Sequence, residues 1–435
     1  MAQGNYKART FQAWLEDARW KKFVGAGELV IGIDVAKTAF YGAVMTKVGG
    51  DYDVIYFERP EITEFVESIA ALDLKQCTLV VEPSGTYCDG LLEKARQHGL
   101  TLVRINGEQV SNAKTIFDGV PSLHDGKAAH ILGHLYLCGV GSEWKEHSQT
   151  RRDLRALSDM DELMEKTEQM FIGPLEALVA RYWPELTDYF DLKQATLLEL
   201  LMEFTTPQAM CDDPKGAEEL MREVGGHTLK EEKIQGVIDS SGDSTGVVAE
   251  ESEKEYIRYL AGMLREAQRR ARAVEKRIED VAKQEPATNS LADFAGARTA
   301  VVLVGMLGEL TNYDSPQKLE KAQGLNLCEH STGQTLAQKR KGEQKLRISK
   351  RGPGRVRKMM YWLAMRKINP QSKSYCPIAT AWYHERLSRN GGDGLRGLVA
   401  LMRKLVRAVW WVARGKEYDG TKLFDVDRLQ RLGHL

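Results

Sequence analysis

The sequence predicts an α/β domain followed by a mostly helical remainder (α/β plus α), and three patterns carry that expectation. Residues 28 to 140 alternate short apolar runs with amphipathic stretches of helical period. From about residue 150 the helical period takes over. Between 251 and 283, Ile257, Leu260, Leu264, Ala267, Ala271, Val274, Ile278 and Val281 recur at alternating steps of three and four, the a/d seam of a coiled coil. At 435 residues the chain exceeds one ordinary core. The expected divisions are an N-terminal extension (1–27), the α/β domain (28–145), a helical coiled-coil region with an inserted subdomain (146–288), a mostly helical C-terminal domain (289–420) and a tail (421–435).

In the first domain "ELVIGIDVA" reads as a strand, and "TAFYGAVMTKVGGDYDVIYFE" as two more joined at Gly49 and Gly50. The helix "EITEFVESIAAL", the strand "QCTLVVEPSG", the helix "YCDGLLEKARQHG" and the strand "LTLVRIN" follow. The order βββαβαβ, with helix after it, gives a sheet of mixed direction. Further on, Leu154, Leu157, Met160, Met164, Phe171, Leu175 and Leu178 mark a helix that is an antiparallel partner for the seam or an oligomer contact. Residues 205–250 are too rich in Gly, Pro, Ser and Asp for one helix, so an inserted subdomain with a mobile loop near 239–246 is expected. In the C-terminal domain "TAVVLVGMLGEL" is an apolar helix and Ser315 caps a short one. Then come "RVRKMMYWLAMRKI" and "LRGLVALMRKLVRAVWWVARG", the latter with one apolar face. Trp362, Trp410 and Trp411 are expected in the core.

Composition narrows the function. With 43% hydrophobic and 28% charged residues, and no apolar run near the roughly 20 residues a bilayer needs, no membrane partner is expected. The N-terminus lacks the apolar stretch of a secretory signal, which points to the cytoplasm. The six cysteines show neither CxxC pairing nor zinc spacing. There is no GxxxxGK[ST], and Gly25 and Gly27 precede their strand, which argues against a nucleotide-binding enzyme. Net charge is zero, yet residues 339 to 358 hold ten Lys or Arg against one Glu. Such asymmetry indicates a polyanion-binding surface, although a solvated run of charge reads the same way.

Two acids leave strands directly: Asp34 after "LVIGI" and Glu82 after "TLVV". Ligand-binding side chains collect at the ends of strands in such sheets. A few carboxylates with water suit Mg²⁺, and Asp125, at the start of a helix, is a third donor. On spacing alone a strand that ends in an acid is equally an ordinary surface feature.

"IGIDVAKTAF", "VVEPSGTY" and "SLHDGKAAHIL" resemble, in that order, the three acidic motifs of the DEDD transposases, the insertion-sequence-one-ten family that includes the Piv-type invertases. "FAGARTAVVLVGMLGEL", "KLEKAQGLNLCEHSTGQ" and "RISKRGPGRVRKMMYWLA" are similar to that family's second conserved region, again in order. The resemblance implies an RNase H-like domain of RuvC type with Asp34, Glu82 and Asp125 as Mg²⁺ ligands, and a C-terminal transposase domain with a catalytic serine. It also implies a coiled coil assembling a dimer or tetramer, donor and target DNA as substrates, a structured bridge RNA as guide, and a bacterial, nucleoid-associated setting. The third motif of the family has the form Asp-x-x-Asp-Ala, so Ala128 stands where a second Asp belongs. The i, i+3 spacing would put both acids on one helix face. Either the element has decayed or the position was substituted deliberately, and the intact surroundings favour substitution.

In "EHSTGQ" Ser331 matches the family's serine and is the expected nucleophile towards a DNA phosphodiester; on its own the stretch is a turn. Lys339, Arg340, Lys341, Arg347, Lys350, Arg351, Arg355 and Arg357 are the expected phosphate contacts. Two other readings stand beside this one. A RuvC-like nuclease or junction resolvase would cut by metal-activated water with no covalent intermediate. A non-catalytic nucleic-acid-binding assembly protein would account for Ala128.

Overall fold

Alternation of inward apolar side chains builds a seven-stranded sheet in the first part of the chain. The computed structural model describes residues 6–17, 21, 23, 27–46, 51–72, 74–83, 85–328, 347–389 and 391–435. Two units result, 1–146 and 147–435.

The strands of the first unit are β1 (Arg9–Thr10), β2 (Glu28–Val35), β3 (Ala39–Thr46), β4 (Tyr52–Glu58), β5 (Gln76–Val81), β6 (Thr101–Arg104) and β7 (Ser142–Glu143). They lie in the order β1-β4-β3-β2-β5-β6-β7. β2, β3 and β4 are antiparallel neighbours, while β5 runs parallel to β2 and β6 parallel to β5. The period of two splits the sheet residues between two cores. Leu29, Ile31 and Ile33 face the helices Ile62–Ala70 and Asp89–Gln97. Val30, Val80 and Val103 face the Asp125–Leu137 helix through Ala129 and Leu132.

The N-terminal extension joins this unit. β1 pairs with the edge strand β4, the Phe11–Glu16 helix buries Phe11 and Trp14, and the Trp14 indole donates to Asp53 at 3.2 Å. A two-residue strand leaves no periodic trace in sequence, so its pairing was not legible there.

The second unit is almost wholly helical, as its pattern predicts. Gln149–Tyr182 and Glu251–Gln284, each 34 residues, pack antiparallel. The Tyr182 hydroxyl at the end of the first donates to Glu253 at the start of the second. At the opposite end Leu154 and Leu157 share a core with Val274 and Ile278. The seam residues Ile257, Leu260, Leu264, Ala267, Val274 and Ile278 are buried inside the chain itself. Between the long helices, Ala195–Glu203, Pro207–Asp212, Pro214–Gly225 and Glu231–Gly242 enclose a separate core around Met210, Met221 and Val237. The stretch expected as a mobile loop near 239–246 is anchored instead: helix continues to Gly242, and Glu185 accepts from the Ser244 and Thr245 hydroxyls.

The C-terminal core is formed by Ala297–Leu307, Gly354–Ile368, Pro377–Arg389 and Gly394–Val412. Ser315 caps its short helix as expected. Phe424 and Leu429 of the tail are buried in the same core. Two tryptophans depart from expectation: Trp362 and Trp411 are 46% and 49% exposed, because the apolar stripe of each helix lies beside them. Among the described residues no helix is long and apolar enough to cross a membrane.

Candidate active site

The parallel register of β2 and β5 pairs Ile33 with Val81, so Asp34 and Glu82 are the next residues on neighbouring strands. By alternation both share the face of Val30 and Val80, the one covered by the Asp125–Leu137 helix. Gly32 allows that helix to lie directly on β2. A Cβ there would stand 2.1 Å from the Ala129 carbonyl oxygen and 2.4 Å from the Gly133 nitrogen. Asp125 is four residues before Ala129, on the first turn of the helix that Gly32 admits. Gly107 plays the matching part for Glu82, since a Cβ there would fall 2.2 Å from Glu82 Oε1.

The electrostatics show that these carboxylates sense each other. Burial pushes Asp34 up from 3.8 to about 6, and the negative charges of Asp125 and then Glu82 push in the same direction. Burial also raises Glu82. Among the described residues no group of three or more His, Cys, Asp or Glu is gathered closely enough to hold a metal ion as it stands. Carboxylates of this kind are oxygen donors, and Mg²⁺ takes one or two such groups directly and keeps several waters. Ala128 is buried on the same first turn as Asp125.

Two supports of this helix were not singled out in the sequence. Lys127 lies within "HDGKAAHIL", yet its side chain is only 1% exposed. Its ammonium donates to Asp118 at 2.7 Å and to the carbonyls of Val120 and Ser122, fixing the loop before Asp125. A lysine among small and apolar helix residues was the available signal. Tyr6 packs over the helix start, with its ring 5.1 Å from that of His124, which caps the helix by accepting from the Lys127 N–H.

In the second unit β8 (Leu327–Cys328) pairs antiparallel with β9 (Arg347–Ile348). Ser331, Lys339, Arg340 and Lys341 lie outside the described residues. Behind the strand pair, backbone crosses backbone at two glycines: a Cβ on Gly352 would stand 2.3 Å from the Ala322 carbonyl oxygen, and Gly324 has φ +69°. Arg347, Lys350 and Arg351 are exposed. Arg355 and Arg357 are not the free surface cations the sequence reading expects. The side chain of Arg355 is 3% exposed and donates to Asp161, which also accepts from Arg298 at 2.7 Å. Arg357 donates to the backbone carbonyls of Gln323 and Gly352. Arg355, on the first turn of the Gly354–Ile368 helix, faces the core, whereas Arg357, two residues on, is half-buried against loop backbone.

Residues 295–376 match the family described as transposase IS116/IS110/IS902, the stretch containing β8, β9 and the basic segment. No curated protein matches the chain.

Proposed function

We propose, from the match of residues 295–376 to the IS116/IS110/IS902 transposase family, that the chain is the DNA transposase and recombinase of an insertion sequence, guided by a structured bridge RNA. In this reading the first unit is an RNase H-like, RuvC-type domain in which Asp34, Glu82 and Asp125 hold Mg²⁺. Its antiparallel β2-β3-β4 followed by parallel β5 and β6 supports that reading. The observation that carries the site is the β2–β5 register, which sets Asp34 and Glu82 side by side on the face covered by the Asp125–Leu137 helix. When bound, Mg²⁺ would polarise the phosphate and stabilise the departing oxygen.

Ser331 is the proposed nucleophile. Its oxygen forms a bond to phosphorus as the bridging P–O bond to one strand breaks; the serine proton passes to a base, and the departing oxygen ends as a free hydroxyl. The resulting phosphoserine diester conserves the bond for strand exchange. Exposed Arg347, Lys350 and Arg351 would neutralise phosphates nearby. Exposed Met160, Leu163 and Met170 on the Gln149–Tyr182 helix support assembly with a second copy. Ala128 would impair cutting more than binding.

The test uses the full chain with its co-purifying RNA and labelled DNA, with and without Mg²⁺, on a denaturing gel. A covalent adduct is expected, lost in Ser331→Ala and in Asp34→Asn. An adduct that persists in Ser331→Ala rules out the serine, and Mg²⁺-dependent cleavage without any adduct favours the RuvC-like nuclease.

A further inference from the structure

The inserted subdomain carries a groove whose charge the reading above does not use. It is a concavity of about 790 Å³ lined by Lys193, Lys230, Lys233 and Arg272, with Glu232 as the one carboxylate in the lining. The four cations come from three places: the turn before Ala195–Glu203, the start of Glu231–Gly242, and the long Glu251–Gln284 helix.

On the long helix Arg258, Arg265, Arg269 and Arg270 each reach a carboxylate. Among the described residues three of the four groove cations, Arg272, Lys230 and Lys233, have no carboxylate partner, as is also true of Lys276, Arg277 and Lys283 further along the long helix. The Lys233 ammonium stands 4.4 Å from the Phe190 ring centroid, and Lys193 approaches Glu168 only at 3.9 Å. Concentrating unneutralised cations in one concavity costs repulsion that a polyanion would relieve. Gln194, Thr196 and Thr228 line the same wall and can donate to phosphate oxygens.

We propose that this groove grips the phosphodiester backbone of a nucleic-acid strand. The inference rests on the nucleic-acid enzyme reading above and adds a contact surface to it. Four cations from three elements around an open concavity, whose wall also holds Tyr189, Phe190, Val224 and Leu229, favour a charged strand over a small apolar ligand.

The test measures affinity of the full chain for a labelled RNA hairpin and a labelled DNA duplex over a salt series. In the triple variant Lys230→Gln, Lys233→Gln, Arg272→Gln, the slope of log affinity against log salt should become shallower by about two to three for whichever nucleic acid occupies the groove. The charge-keeping variant Lys230→Arg, Lys233→Arg, Arg272→Lys should retain the parent slope, and both variants should unfold at the parent temperature. Unchanged slopes in the glutamine variant, with parent binding intact, overturn the groove alone. An equal loss in the charge-keeping variant also overturns it. Calorimetric binding of inorganic phosphate that disappears in the glutamine variant while both slopes stay unchanged would identify a free-anion site and overturn it too. A parent that binds neither RNA nor DNA overturns this inference and the transposase reading together.

Discussion

The guanidinium of Arg355 donates to the carboxylate of Asp161, joining the helix behind the basic segment to the long Gln149–Tyr182 helix. Arg298 takes the same carboxylate, and Glu165 accepts from Lys358 at 2.7 Å, so one ionic cluster ties three helices. Breaking a buried pair strands a charge away from water. Arg355→Met should therefore lower stability by about 3 kcal/mol in denaturant titration, and leave the salt dependence of DNA binding unchanged. Arg347→Gln should do the reverse, reducing the salt slope by about one with little change in stability.

Asp34 gives a pH signature. Its carboxyl is raised from 3.8 to about 6, so its protonated form is the one the fold favours. The corresponding stability is fully present below about pH 4 and is lost as pH rises through 6. Asp34→Asn should raise the melting temperature by a few degrees, about 2–4 °C, at pH 7.5, and give no gain at pH 3.5. Mg²⁺ should raise the parent's melting temperature at pH 7.5 but not the variant's. Equal gains at both pH values would contradict the cause assigned to the shift.

Ala128→Asp would add a fourth carboxylate on the buried first turn of the Asp125 helix. Without divalent cation the variant should melt below the parent, since like charges without a partner destabilise a buried site. With Mg²⁺ it should recover and support more recombination than the parent in a plasmid assay. A variant no more active than the parent would remove Ala128 as the missing ligand.

Gly32→Ala should be costly in a way its surroundings do not suggest. The added methyl would stand 2.1 Å from a helix carbonyl, and backbone cannot rotate away as a side chain can. The Asp125–Leu137 helix must lift off β2, at about 3 kcal/mol. Weaker Mg²⁺ binding should accompany the loss of stability in calorimetry; a variant that keeps both would show that the carboxylates do not depend on this close approach.

Local patterns determined a great deal. The apolar runs at 28–35 and 76–81 set the strands that end beside Asp34 and Glu82, the Ser315 cap set a helix start, and the three-four spacing set a 34-residue helix. Each rests on the period of the backbone, which neighbouring residues suffice to reveal. Only the tertiary structure decided which faces and charges were used. The seam of the long helix is buried against its own chain, β1 completes a sheet edge from a segment that read as an extension, and Arg355 finds its carboxylate 194 residues away. A residue's charge is written in the sequence, but whether water, a phosphate or a distant carboxylate neutralises it depends on what folding brings beside it.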